Sequence, residues 1–85
     1  MNDCKQELLQ VLEQLHTTPL GAARIRRNLH LAEQDVVGWC RQTIRQPGST
    51  VTRQGKNWYV EADGCRITVN AGSRTIITAH PCKPQ

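Results

Sequence analysis

A phenol, a carboxylate, a guanidinium, a hydroxyl and an imidazole stand at alternating positions in the second half of this chain, as Tyr59, Glu61, Arg66, Thr68 and His80. Alternation gathers residues of one parity on one face of a strand. With Arg53 and Lys56 at its rim, such a face has the parts to handle RNA. A carboxylate or an imidazole can take the proton of a 2′-hydroxyl, and a second group can protonate the leaving oxygen. An Arg can stabilise charge on the phosphate in flight, and a Tyr can stack on a base. Attack by a 2′-hydroxyl needs no metal, so no cofactor is expected. The candidate catalytic residues are Glu61 and His80 as base and acid, with Arg66 on the phosphate. Candidate contacts to a nucleic acid or another partner are Tyr59, Arg53, Lys56, Arg74 and the cluster Arg24, Arg26 and Arg27. The same residues also fit the polar outer surface of any half-buried sheet, with Glu61 and Arg66 as a cross-strand ion pair.

Other combinations carry less. Cys4, Cys40, Cys65 and Cys82 include no C-x-x-C pair, and His16, His30 and His80 are not grouped with them, so zinc is not expected. Cys40 and Cys65 fall on apolar faces and read as small buried hydrophobes. A bridge between Cys4 and Cys82 is disfavoured in a cytoplasmic chain. His16 and His30 sit at helix ends, where a His serves the last carbonyls or the helix dipole. Gly55-Lys56-Asn57 lacks the rest of a phosphate-binding loop and reads as a turn.

These side chains need a scaffold, and the hydrophobic pattern supplies one. Leu8, Leu9, Val11, Leu12 and Leu15 recur at helical spacing after a cap at Asn2 or Asp3, predicting a helix that stops near His16. Thr18-Pro19 starts a second helix, about Pro19 to Asn28, with Leu20, Ala23 and Ile25 toward the core. A third spans about Ala32 to Arg45, with Val36, Val37, Trp39, Cys40 and Ile44 on its apolar side. After Gln46-Pro47-Gly48 the period switches to two. Strands are expected at about Ser49–Arg53, Asn57–Ala62, Cys65–Asn70 and Arg74–Ala79. Asp63-Gly64 is a strong hairpin signal. Trp58, Val60, Ala62, Cys65, Ile67 and Val69 should point at the helices. In the last strand both parities carry an Ile. Ile77 is assigned inward, and His80 outward with Thr78. The fold class is thus α+β, three N-terminal helices on one face of a four-stranded antiparallel meander, in a single domain with a helical part 3–46, a sheet part 49–80 and a flexible tail 81–85.

At 85 residues the chain is too short for two cores or a Rossmann fold. No apolar run suffices to span a membrane, and the N-terminus has no apolar signal region, so a soluble cytoplasmic protein is expected. The net charge is +4, unevenly placed: Met1–Ala23 carries −2 and Arg24–Gln85 carries +6. Eight of the eleven basic residues are Arg, which favours bidentate phosphate or carboxylate contact. That asymmetry points to RNA or another polyanion as partner.

From Leu20 to His80 the chain resembles a family of small bacterial proteins known as a domain of unknown function. The residues that carry the likeness are Arg24-Ile25-Arg26-Arg27-Asn28-Leu29, Asp35-Val36-Val37-Gly38-Trp39-Cys40, Gly55-Lys56-Asn57-Trp58-Tyr59-Val60, Ile67-Thr68-Val69-Asn70-Ala71 and Thr75-Ile76-Ile77-Thr78-Ala79-His80. The order of helices before a meander is also similar in plan to metal-independent ribonuclease toxins of the RelE and barnase-like kind, which implies fold rather than function. Members of the family carry bulkier residues where this chain has Gly72 and Arg74, which implies binding without cleavage if those positions line a site.

The leading expectation is an RNA-binding protein whose catalytic form would be a toxin-like, metal-independent endoribonuclease. A second reading is a non-enzymatic inhibitor or adaptor, of phage anti-defence or anti-CRISPR type, that grips a larger protein of a nucleic-acid machine. A third takes Leu20–Gln46 as a winged helix-turn-helix. There, Glu33 and Asp35 would repel DNA at the start of the recognition helix.

Overall fold

The computed structural model describes residues 3–32 and 35–81. Three helices, α1 (Asp3–Gln10), α2 (Pro19–Leu29) and α3 (Val36–Arg45), precede four strands, β1 (Thr50–Gln54), β2 (Asn57–Ala62), β3 (Cys65–Asn70) and β4 (Ile76–Pro81). The sheet order is β1-β2-β3-β4, each neighbour antiparallel. This is the expected α+β fold, with the helices on one face of a meander. No helix among the described residues is long and apolar enough to cross a membrane.

The core lies between helices and sheet. Leu8, Leu12, Leu15, Ile25, Val36, Cys40 and Ile44 meet Val51, Trp58, Val60, Ile67, Val69, Ile76 and Ala79 there. All six residues expected to face inward from the second and third strands do so, although Cys65 is only half-buried. Asp63 (φ 53) and Gly64 (φ 74) both take left-handed backbone, as a two-residue hairpin with the twist of its strands requires.

The helices differ from their expected bounds for local reasons. The first helix ends at Gln10, and the chain continues as a 3-10 turn, Leu12–Gln14. There the Arg41 guanidinium of α3 gathers the carbonyls of Leu12 (3.1 Å), Glu13 (3.3 Å) and Leu15 (3.2 Å). α2 begins as expected, with the Thr18 hydroxyl accepting from Gly21 N and Pro19 in the first turn. It ends where His30 (φ 54) adopts the left-handed conformation and its N–H reaches the last carbonyls. α3 begins at Val36, since the Asp35 carboxylate caps it by accepting from Gly38 N at 2.9 Å. Ala32 lies outside the helix, and Glu33 and Gln34 lie outside the described residues.

Three expected orientations are corrected. Leu20 and Ala23 are exposed, and Gly21 instead is buried. A Cβ at Gly21 would stand 3.8 Å from the Ile76 carbonyl and within clashing distance of the Thr17 hydroxyl. The bare backbone lets α2 approach β4, and this rotates the helix. In β4, Ile76 is buried and Ile77 is exposed, the reverse of the expected assignment. A register shift between Thr68 and Val69 is the cause: Val69 pairs with Ile76 and Thr68 with Thr78, leaving Ile77 as the extra residue. Past the bulge alternation resumes, so Ala79 points in and His80 out.

β4 starts two residues later than expected because Asn70 organises the preceding turn. Its Oδ1 accepts from the N–H groups of Gly72 (3.0 Å) and Ser73 (2.9 Å). β4 also includes Pro81, the first residue of the expected tail. The remaining tail residues, 82–85, lie outside the described residues, and with them the question of a Cys4–Cys82 bridge.

Candidate nucleic-acid interface

The strand registers order the outer face of the sheet. One cross-strand row reads Thr50, Glu61, Arg66, His80; the next reads Thr52, Tyr59, Thr68, Thr78; the third reads Gln54, Asn57, Asn70. The three candidate catalytic residues therefore share one row at one end of the sheet, with Tyr59 in the row beside them. Arg66 stands between Glu61 and His80. Its Nη2 and Nε both donate to Glu61 Oε2, at 2.8 and 3.2 Å. The guanidinium also lies over Tyr59, 5.3 Å from the ring centroid. The His80 Nδ1 lies 3.0 Å from the Pro81 carbonyl oxygen. Glu61 and His80 stand two strands apart, about 10 Å between backbones. Among the described residues no cleft or cavity forms around them.

The other candidate contacts disperse. Arg53 pairs with Trp58 in register, so it stands on the core side of the sheet, not on the rim of the outer face. There its guanidinium lies 5.7 Å from the Trp58 ring centroid, and its Nε donates to Gly55 O. Lys56 lies in the β1–β2 turn, at the end of the sheet away from His80. Arg74, with φ 60, lies in the β3–β4 turn at that same end, and its Nη1 donates to Gly72 O at 3.2 Å. Arg24 and Arg27 are exposed on α2, and Arg26 is half-buried.

The model of the family described as "Protein of unknown function (DUF3781)" matches residues 9–80. The chain belongs to the DUF3781 family. The match takes in the end of α1, the 3-10 turn and the whole of β1 to β3, and it stops at His80, the outward residue of the charged row. Neither curated proteins nor solved structures gave a match to the chain.

In this DUF3781 domain Gly72 and Arg74 are separated from the Glu61–Arg66–His80 row by the length of the sheet. Their identity bears on the turn rather than on that row. His16 and Thr75, not singled out as a pair, are joined: the His16 Nε2 lies 3.1 Å from Thr75 Oγ1, and its Nδ1 lies 3.1 Å from Gln14 O. His16 N donates to Arg74 O, and Ile76 N donates to His16 O. His16 thus clasps the helical half to the edge of β4. Cys40 is buried, and burial together with nearby Cys65 pushes its thiol up to about 12. That protonated thiol is a packing group and not a nucleophile.

Sequence reasoning missed the Arg41 clamp. A faint signal exists: Arg41 follows Cys40 and lies one turn from Val37, so it borders the apolar stripe of α3.

Proposed function

We propose that the outer face of the sheet binds single-stranded RNA without cleaving it. The observation that carries this is the Arg66 guanidinium laid over Tyr59 on an open face. A planar cation backed by an aromatic ring is a platform on which a base can stack, and the ring and the cation polarise one another. Around it Thr52 and Thr78 offer hydroxyls to bases and 2′-hydroxyls, and His80 flanks the row. Four strands at about 4.8 Å spacing leave room for two or three nucleotides. Stacking of this kind contributes about 1–3 kcal/mol per base and tolerates any sequence.

The same geometry speaks for binding over catalysis. The Glu61 carboxylate is engaged by Arg66, which also separates it from His80. General acid–base catalysis needs both groups within hydrogen-bond reach of one ribose. The DNA reading fits less well. Asp35 caps α3, so a carboxylate stands where a recognition helix would meet phosphates.

The test is fluorescence anisotropy of labelled single-stranded RNA, with gels of the same samples in EDTA. Saturable binding that weakens with salt, is reduced in Tyr59→Ala and Arg66→Ala and leaves the RNA intact is expected. Cleavage lost in His80→Ala would replace this reading with the ribonuclease. No binding, or binding unchanged by both substitutions, would remove RNA from this face.

A further inference from the structure

Leu20 and Ile77 are the large hydrophobic side chains that the described residues leave exposed, at 78% and 38%. They come from different elements and share one neighbourhood. α2 meets the edge of β4 along a line through Gly21, close to the Ile76 carbonyl, and Asn28, whose Nδ2 donates to Ala79 O. Ile25, with Ala22 and Leu29, lies to the core side of that line. At about 100° per residue, Leu20, Arg24 and Arg27 fall on its opposite side. That is the side on which β4 turns out Ile77, Thr78 and His80. The seam between α2 and β4 therefore presents two aliphatic side chains with two Arg and a His beside them. Neither Pro19–Leu29 nor Ile76–Pro81 contains an Asp or a Glu. The carboxylate on the outer face, Glu61, is two strands from β4 and is held by Arg66.

We propose that this seam docks an acidic segment of a partner protein that also presents apolar side chains. Leu20 and Ile77 supply the apolar contact, and Arg24 and Arg27 supply forks for carboxylates. Charge complementarity selects the occupant: the eleven residues of α2 carry three Arg, and neither they nor the six residues of β4 include an acid. RNA would satisfy the cations but leave Leu20 uncovered, since a phosphate backbone offers an aliphatic side chain nothing to bury against. A second copy of the chain would bring Arg24 and Arg27 against themselves across a two-fold axis. The inference does not rest on RNA binding at Tyr59 and Arg66.

The experiment titrates the isotope-labelled full chain with three probes, followed by amide NMR. The first is a helical peptide with Leu at i and i+4 among Glu residues. The second has the same Glu content with Ser for Leu. The third is an oligouridine. The Leu–Glu peptide should shift amides of residues 20–28 and 76–80, and the Ser peptide should bind about tenfold more weakly or less. Leu20→Asp and the pair Arg24→Glu, Arg27→Glu should each weaken the Leu–Glu peptide by about tenfold. Leu20→Ser, a milder change at an exposed position, should do so in part. The proposal is overturned by no binding at millimolar peptide, by equal binding of the Ser peptide, or by shifts elsewhere. It is equally overturned if oligouridine alone occupies the seam, or if the free chain is a dimer that Leu20→Asp dissociates. Oligouridine shifting only Tyr59–Thr68 while the peptide shifts the seam would support both readings separately.

Discussion

The Asn28 side-chain amide donates to the Ala79 carbonyl at 3.2 Å and so seals the outer edge of β4 with a helix. The Thr17 hydroxyl does the same for the Ile76 carbonyl at 2.8 Å. An edge strand with free carbonyls invites pairing with another chain. Asn28→Ala should lower stability by about 1–2 kcal/mol, because it leaves a carbonyl of a fully buried residue without its donor. Urea denaturation measures the loss. Adding Thr17→Val should lower it further and increase concentration-dependent association, read by light scattering.

Arg41 bonds to three carbonyls of the 3-10 turn and its exit, of which Leu12 O also accepts from Leu15 N. Charge-assisted hydrogen bonds of this sort contribute about 1.5–3 kcal/mol. Arg41→Ala should therefore be among the more damaging changes outside the apolar core. Arg41→Lys should recover little, since an ammonium cannot span carbonyls that a planar guanidinium reaches together. Thermal melts of the two variants would check this. Full rescue by Lys would show that charge alone matters there.

Glu61→Gln separates binding from catalysis by the sign of its effect. The Glu61–Arg66 pair is half-exposed, so its loss should change stability by less than about 1 kcal/mol. It should tighten RNA, because Arg66 is released and a carboxylate leaves the face. If Glu61 were a general base, the same change would abolish cleavage. Anisotropy and a cleavage gel on one preparation distinguish the two.

Alkaline pH should weaken the fold through Cys40. Its thiol is pushed from 9.0 up to about 12 in the folded chain, by burial first and by Cys65 second. Between those values the unfolded chain has released the Cys40 proton and the folded chain has kept it. The contribution is whole below about pH 9 and is lost as pH rises toward 12, by up to ~1.4 kcal/mol per unit. Denaturant midpoints from pH 8 to 11 should fall less steeply for Cys40→Ala than for the parent chain. Parallel slopes would remove Cys40 as the cause.

Most of the fold was legible because periodicity records burial. The hairpin at Asp63-Gly64 and the bounds of β2 and β3 follow from alternation and turn chemistry alone. What escaped had a tertiary cause. Ile77 was placed inward because alternation cannot register a bulge, and nothing in Thr75-Ile76-Ile77-Thr78 marks one. Leu20 and Ala23 were placed inward because helical spacing finds an apolar stripe without knowing which backbone approaches it. Gly21, the residue with no side chain to score, decides that face. On the outer face the pairing of Glu61 with Arg66 was readable from two strands and a two-residue turn. The departure of Arg53 to the core side was readable too, since Arg53 shares the parity of Val51.

The clasp between His16 and Thr75 joins residues 59 apart in the chain. Every hairpin of the meander, by contrast, closes over a few residues. Short loops lose little entropy on closing and long ones lose more. The order of assembly should follow: hairpins first, then the helical segment, and the clasp late, when the sheet already exists to receive it. α2, α3 and β1 to β3 all hang between those two side chains. β4 lies between Thr75 and the C-terminus. A force applied at the two ends of the chain would therefore strip β4 from β3 before it reached the clasp, which makes this bridge the catch that holds after the edge strand has gone.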